Sequence, residues 1–268
     1  FDEMMPIQLM NGFPTLKGIP IQMAPIFVVG EVDQQANIYY IDAIEHYGLA
    51  SDVCPLPAAE AGCCVVDDYP KVGAAYISSS MPCDGSVAST MYSNRYFKLP
   101  NYQVTPPQRF NEPEVQKYAV KNLWGCIEFI EKQFGVKFDW NAFFEGVKRY
   151  NKESNYMIEK WDVNCTDYPQ ICGAALALHR EYEMQIASSL DPKMCMYDAK
   201  VNKLMKKGYA HSVATDNKAR YRAIVWSCPA HYYSNFTYWA QNCWGIKTLV
   251  DMECMLAYHH YDEHDEEK

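Results

Sequence analysis

The first 110 residues alternate between strand-like and helix-like hydrophobic patterns. Three largely apolar stretches are predicted as strands, namely 21–29, 71–79 and 101–105. Between the first two, Ile38, Ile41 and Ile44 recur at helical spacing and Gly48 follows, which predicts a helix and its end. A second helix is predicted over 86–97. Strand, helix and strand at this spacing indicate a parallel α/β domain over residues 1–110.

The middle of the chain changes to a helical pattern. Apolar residues recur three and four positions apart over 112–134, and Gly135 predicts the end of that helix. Asp139 is the predicted cap of the next helix. The further stretches with this pattern are 171–190 and 196–209. Together they predict a mostly helical region over residues 111–215.

The strand-like pattern returns near the end of the chain. The predicted elements are a strand over 221–227, a helix over 232–244 and a strand over 246–252. They predict the beginning of a second α/β domain over residues 216–268, which is truncated. The expected fold class is therefore α/β, with a Rossmann-like parallel-sheet domain, a helical middle region and the start of a second Rossmann-like domain.

Composition and charge narrow the class of protein. Hydrophobic residues make up 49% of the chain, which is typical of a globular protein with a core. The formal net charge of −9, without a basic stripe, argues against a nucleic-acid partner. No apolar run approaches the ~20 residues that a membrane span needs. The chain starts at Phe1 without a signal peptide and stops in an acidic run, so we expect a fragment lacking both ends.

Eleven cysteines are a high and odd number for a chain of 268 residues. Their spacing differs from the dense pattern of secreted disulfide-rich proteins. The glycosylation sequons at Asn164 and Asn235 are of a kind that often arises by chance. We therefore expect reduced thiols in the cytoplasm, each of them either a small core residue or a metal ligand.

Cys83 and Cys54 are the cysteines best placed for chemistry. Cys83 lies between a predicted parallel strand and the helix after it, where open α/β sheets bind ligands and a helix N-terminus favours a thiolate. Cys54 lies at another predicted junction of the same domain. Two loops at one edge of a sheet can bring such thiols together, as an iron–sulfur cluster requires. Spacing alone leaves open that both are core cysteines, because no C-x-x-C pair is present.

Several segments resemble one enzyme family. They are 52–54 (Asp-Val-Cys), 78–84 (Ser-Ser-Ser-Met-Pro-Cys-Asp), 127–150 and 221–229. In their order and spacing they resemble the α-type D-component subunits of the 2-hydroxyacyl-CoA dehydratase and benzoyl-CoA reductase family. The similarity covers most of the chain.

The resemblance implies a subunit of an oxygen-sensitive iron–sulfur enzyme. Cys54 and Cys83 match two of the three cysteines that bind a 4Fe-4S cluster in that family, and the third ligand is expected beyond Lys268. The implied reaction removes water from a 2-hydroxyacyl-CoA thioester. A separate ATP-hydrolysing activator supplies one low-potential electron, a ketyl radical expels the hydroxyl group, and a β-proton is lost. The implied partner is a homologous second dehydratase subunit.

One departure from the family concerns the catalytic base. The α-type subunits tend to carry Tyr-Pro-Glu-Asn after the early strand, where residues 23–26 of this chain read Met-Ala-Pro-Ile. Glu31 is the nearby carboxylate and is kept as a candidate, although it does not occupy the matching position. The base therefore stays unassigned at this point.

The other candidate residues have plainer interpretations. Cys63 and Cys64 are expected to be partly buried structural cysteines, and Cys165 is expected in a loop. Those expected in the core are Cys126, Cys172 and Cys195. Cys228, before Pro229 at a predicted strand end, is the third candidate for a ligand or cleft residue. The histidines expected on the solvated surface, among acidic residues, are His259, His260 and His264. The aromatic residues between 232 and 244 are expected in the core or at a subunit interface.

Three alternatives stay open beside the dehydratase. A benzoyl-CoA-reductase-like subunit for low-potential reduction would use the same cluster ligands. A non-catalytic partner subunit, which shapes the interface and relays electrons, is favoured by the missing glutamate. A cluster-free α/β binding protein would use every cysteine structurally.

Overall fold

The computed structural model describes most of the chain in two compact units. The described residues are 7–19, 33, 35–69, 71, 73–80, 83–105, 111–173, 175–176, 179, 191–225, 235–251 and 260–263. Unit 1 comprises Phe1–Leu9 and Phe13–Asp139, and unit 2 comprises Met10–Gly12 and Trp140–Lys268. Each unit has its own pair of parallel strands.

Helices and short strands follow one another through the described residues. After a 3-10 helix, Ile7–Gly12, the α-helices are α1 (Ala36–His46), α2 (Pro55–Val65), α3 (Asp84–Phe97), α4 (Pro113–Phe134), α5 (Trp140–Asn164), α6 (Met194–Ala214) and α7 (Asn235–Trp244). The strands are β1 (Tyr76–Ser79), β2 (Asn101–Val104), β3 (Tyr221–Val225) and β4 (Ile246–Asp251). The mixed α/β class expected from the sequence is confirmed. No helix in this part of the chain is long and apolar enough to cross a membrane.

The ends of the helices follow local sequence chemistry. Pro113 occupies the first turn of α4, where its missing N–H is no loss and its fixed φ suits a helix. Gly135 ends α4 with a φ of +66°, a left-handed conformation that glycine adopts without strain. Gly48 follows α1 with a φ of +102°. Both helix ends predicted from these glycines are therefore confirmed.

Unit 1 contains the parallel strand–helix–strand unit predicted from the sequence. Tyr76 of β1 pairs with Asn101 of β2, and Ser79 pairs with Val104. All four residues of β1 are buried, so this strand lies inside the unit. The connecting helix α3 contacts β1, and α4 contacts β2. This arrangement places the start of α3 just beyond the carboxyl end of β1.

Helices α1, α2 and α3 pack against one another in that order. Gly62 of α2 lies so close to α1 that a side chain there would collide with the backbone of Tyr40. Tyr40, Cys63, Cys64 and Tyr69 form a hydrophobic core at this crossing. The core fixes α2, and with it the chain segment that carries Cys54.

Unit 2 is organised around α5 and α6. Lys160 Nζ lies 2.5 Å from Asp198 Oδ1, and both side chains are buried, so an ion pair joins the two helices. β3 pairs in parallel with β4, with a bulge between Ala223 and Ile224. β4 contacts both α5 and α7. The strand–helix–strand order predicted over 221–252 is confirmed by β3, α7 and β4.

Two predicted element bounds are wrong. The strand predicted over 71–79 begins only at Tyr76, whose N–H bonds to the carbonyl of Pro100. Proline has no N–H to extend the ladder further upstream. The helix predicted over 171–190 does not include 171–173, because the N–H of Gly173 bonds to the carbonyl of Thr248 in β4. Apart from residues 175, 176 and 179, the rest of that predicted helix lies outside the described residues.

Other predictions about the fold stay open. The strand predicted over 21–29 lies outside the described residues. The Rossmann-like form of the sheets stays a prediction, because the described strands form two pairs rather than larger sheets. The domain boundaries expected at residues 110 and 215 also stay predictions.

Candidate functional site

Cys83 is the N-cap of α3, just past the carboxyl end of β1. β1 ends at Ser79 and α3 begins at Asp84. Cys83 has an extended backbone, with φ −156° and ψ 173°, and its carbonyl accepts the N–H of Ser86 at 3.1 Å. Its sulfur lies 3.8 Å from the Ser86 hydroxyl. The structure thus places Cys83 between a parallel strand and a helix, as the sequence predicted.

Cys54 is the N-cap of α2. Its carbonyl accepts the N–H of Ala58 at 3.2 Å, the first hydrogen bond of the helix. Pro55 follows directly, and a proline disfavours helical backbone in the residue before it. The helix therefore starts sharply, with the Cys54 thiol just outside its first turn. Within the described part of the chain, neither Cys54 nor Cys83 uses its side chain to cap its own helix.

The first turns of α2 and α3 touch each other. A Cβ placed on Gly85 would lie 2.9 Å from Cγ of Pro57 and 3.5 Å from Sγ of Cys83. Further along the same two helices, the Ser93 hydroxyl lies 3.6 Å from the Cys64 sulfur. Because the contacts advance in the same direction along both helices, their N-termini lie at the same end. The two candidate cysteines therefore occupy the N-cap positions of neighbouring helix ends.

Exposure separates Cys54 and Cys83 from the core cysteines. Both side chains belong to exposed residues, like Cys165 and Cys243. Burial raises the pKa of four other thiols, to about 12 in Cys63, Cys64 and Cys126 and to about 11 in Cys172. A thiol with a raised pKa keeps its proton and is a poor metal ligand. The expectation that Cys126 and Cys172 belong to the core is confirmed, and Cys63 and Cys64, which were expected to be partly buried, are fully buried.

A buried carboxyl group lies between α2 and α3. Glu60 is only 1% exposed, and Ser93 Oγ donates a hydrogen bond to its Oε1 at 3.3 Å. The sulfur of Cys64 lies near the same serine hydroxyl, at 3.6 Å. The bond ties the two helices together about one and a half turns into α2 and about two and a half turns into α3. Sequence reasoning missed this group, although a lone carboxylate within the apolar stretch 55–65 was a signal for it.

The interior face of α3 is also rich in small hydroxyl groups. The buried residues of this helix are Ser86, Ser89, Thr90 and Ser93. Thr90 Oγ1 and the buried Ser78 Oγ of β1 have no hydrogen-bond partner among the described residues. Small side chains on this face allow α3 to pack closely against its neighbours.

The described residues supply part of a metal site. No group of three or more His, Cys, Asp or Glu side chains in this part of the chain is arranged to hold a metal ion. Cys54 and Cys83 could supply two thiolate ligands from neighbouring helix ends. Any further ligand would have to come from elsewhere.

The other predicted site residues divide into two groups. Those outside the described residues are Glu31, Cys228, His259 and His264. Cys165 is exposed in the turn after α5, and His260 is exposed, as expected for both. Cys195 lies on α6 with its sulfur 3.7 Å from Glu153 Oε1.

Comparison with known protein families identifies the family to which this chain belongs. Residues 22–268 match the family model described as 2-hydroxyglutaryl-CoA dehydratase, D-component. The chain belongs to this D-component family. The matched segment contains both Cys54 and Cys83. The D-component family is a dehydratase family, so the expectation of a dehydratase-type enzyme subunit is confirmed. Among curated proteins, none matches this D-component chain.

Proposed function

We propose that this D-component chain is a subunit of an oxygen-sensitive enzyme that removes water from a 2-hydroxyacyl-CoA, with Cys54 and Cys83 binding a 4Fe-4S cluster. Family membership supports the reaction class. One observation carries the proposed site. Two exposed cysteines occupy the N-cap positions of two neighbouring helices whose first turns are in contact.

The two thiols fit such a cluster chemically. Cluster iron is held by cysteine thiolates, and both thiols can be reached without opening the core. Each lies at a helix N-terminus, where the helix dipole favours negative charge. The buried Cys63, Cys64 and Cys126 lack both properties.

A 4Fe-4S cluster supplies one-electron transfer at low potential when it is bound. This chain holds two of the proposed thiolates on helix ends that the α1–α2–α3 packing keeps in place. The first-turn N–H groups of α3 and the N–H of Leu56 in α2, where Pro55 and Pro57 have none, add partial positive charge beside them. The third thiolate is proposed to come from the family's last α/β domain, beyond Lys268. The electron is proposed to come from a separate ATP-hydrolysing activator.

A homologous second dehydratase subunit is the proposed partner. The description of the family as a component supports this proposal. Two large aromatic side chains of α7 are available for such an interface, since Trp239 is 51% exposed and Trp244 is 55% exposed. Exposed aromatic side chains are enriched in subunit interfaces.

One sequence observation favours a second candidate function. Residues 23–26 read Met-Ala-Pro-Ile where the resembling α-type subunits tend to carry a glutamate. A subunit without that carboxylate fits a non-catalytic role, in which it completes the interface and relays electrons. A low-potential reductase acting on an aromatic thioester would use the same thiols.

Substrate tests on the intact complex separate these functions. The complex, purified anaerobically with its partner subunit and supplied with its activator, is assayed with a 2-hydroxyacyl-CoA and with an aroyl-CoA. We expect dehydration of the former and no reduction of the latter. Reduction of the aroyl-CoA alone would establish the reductase. Full dehydration by a complex carrying Cys54→Ser and Cys83→Ser would show that this subunit is not the catalytic one.

A further inference from the structure

Gly85 is an unexpected residue in the first turn of α3. Alanine favours helix formation more than glycine does, so glycine at a helical position needs a reason. The backbone conformation is not that reason, because Gly85 is not among the described glycines with positive φ. The reason must therefore be the space available to a side chain.

The space beside Gly85 is filled by Pro57 and Cys83. A Cβ on Gly85 would lie 2.9 Å from Cγ and 3.7 Å from Cβ of Pro57, and 3.5 Å from Sγ of Cys83. Nonbonded carbon atoms prefer separations of about 3.5–4.0 Å. The proline ring cannot rotate away, since it is bonded to its own backbone nitrogen. A side chain at position 85 would therefore push the first turn of α2 away from α3.

Both residues of this close contact lie within three positions of a candidate ligand in the chain. Pro57 follows Cys54 by three residues in the first turn of α2, and Gly85 follows Cys83 by two in the first turn of α3. Further along, the Ser93–Glu60 hydrogen bond holds the same helices together. Displacing the first turn of α2 from that of α3 would therefore increase the distance between the two helix N-termini, and with it the distance between the two thiols.

We infer that Gly85 is a positioning residue that sets the separation of the Cys54 and Cys83 thiols. The inference rests on the proposed function, because the separation matters only if both thiols bind one cluster. The absence of a side chain at position 85 allows the two helix starts to approach. Contact with Pro57 limits how closely the two helix N-termini approach each other.

The test is a rescue experiment in the full-length protein with its partner subunit, prepared anaerobically. Gly85→Ala introduces the collision, and Gly85→Ala combined with Pro57→Ala removes the Cγ atom that causes the 2.9 Å contact. Pro57→Ala alone is the reference for the double variant. Gly73→Ala in the same unit is the matched control, because the nearest atom to its Cβ would be the flexible end of the Leu99 side chain, at 3.3 Å, and the carbonyl oxygen of Ala75 would lie at an ordinary contact distance of 3.6 Å.

Two readouts are compared across these variants. The first is bridging of Cys54 to Cys83 by a short bifunctional thiol reagent in the cluster-free protein, identified by mass spectrometry of the linked peptides. The second is the iron content and visible absorption after cluster reconstitution. We expect Gly85→Ala to lose bridging and iron several-fold, the double variant to recover the level of Pro57→Ala, and Gly73→Ala to behave as the wild type.

The outcomes distinguish this inference from the proposed function. Wild-type levels of bridging and iron in Gly85→Ala would overturn the positioning role. Failure of the double variant to recover bridging would overturn it too, even if Gly85→Ala alone did not fold. Bridging that follows the expected pattern in a protein that never takes up a cluster would support the positioning role and overturn the proposed function.

Discussion

Cys54 and Cys83 differ from the core cysteines in where they lie on their helices. Both are N-caps, and both are exposed. Cys63 and Cys64 lie near the other end of α2 within the α1–α2 core, where burial raises the pKa of each thiol to about 12. Burial therefore separates the thiols in the middle and at the end of α2 from the accessible thiol at its start.

The buried ion pair of unit 2 gives a testable prediction about single residues. Replacing Asp198 by asparagine leaves the buried ammonium of Lys160 without its carboxylate, which should lower the free energy of unfolding by about 3 kcal/mol. The control is Lys206→Met, which breaks an exposed ion pair with Glu159 of 2.8 Å and should change stability by less than about 1 kcal/mol. Urea unfolding of both variants measures the difference. Equal losses would show that the buried pair contributes no more than the exposed one.

At the scale of elements, periodicity and end signals predicted most of the helices. α4 shows a regular apolar spacing and ends at a glycine, and both features were readable in the sequence. α2 was not predicted, because it is apolar on all sides and carries Pro55, Pro57 and Gly62, residues that usually argue against a helix. Its burial between α1 and α3 overrides that propensity.

The end of α4 offers a test of the backbone argument. Gly135 has a φ of +66°, and a Cβ there would meet nothing within 4 Å. Gly135→Ala should therefore destabilise the protein by about 1 kcal/mol through left-handed backbone strain alone. Gly135→Asn should cost less, since asparagine tolerates this conformation. Thermal or urea unfolding of the two variants measures the order, and an alanine variant as stable as the wild type would refute the explanation.

At the scale of the whole molecule, the buried thiols predict the response to alkaline pH. The pKa of Cys126 rises from its ordinary value of 9.0 to about 12 because the side chain is buried. The unfolded chain loses this proton near pH 9, whereas the folded chain keeps it until about pH 12. The contribution to stability is complete below pH 9 and is lost as the pH rises towards 12.

The measurement is the free energy of unfolding between pH 8 and pH 11, with a slope of about 1.4 kcal/mol per pH unit expected for each proton that only the folded state retains. Cys63 and Cys64 should act in the same direction as Cys126. Cys126→Ala should make the slope shallower. A stability that stays constant over this range would contradict the effect of burial.

Association is the other property of the whole molecule that can be tested. Trp239 and Trp244 form an exposed, edge-to-face aromatic pair with ring centroids 6.1 Å apart. If α7 contacts the homologous subunit, replacing both tryptophans by serine should release that subunit while leaving the chain folded. Sedimentation of the purified complex measures this. Met91→Ser, at a residue that is 68% exposed on α3, is the control. An unchanged complex with the double tryptophan variant would exclude α7 from the interface.

The sequence singled out Cys54 and Cys83 as candidate ligands, an assignment that stays a prediction, but it did not predict how their helices pack. Cys54 and Cys83 were recognisable because each lies at a junction between elements, and the family resemblance selects the same two residues. The contact between Pro57 and Gly85 was not predictable, because it joins residues far apart in the chain. The link from Glu60 to Ser93 depends on the same long-range packing.

The most direct test of the central claim is the iron content of cysteine variants. Cys54→Ser, Cys83→Ser and the control Cys165→Ser, which also changes an exposed thiol, are compared in the anaerobically purified full-length protein with its partner subunit. If Cys54 and Cys83 share one cluster, either replacement should sharply lower both the iron content of this subunit and the visible absorption of the cluster. Cys165→Ser should retain both. Retention of the full cluster by Cys54→Ser or Cys83→Ser would contradict the assignment.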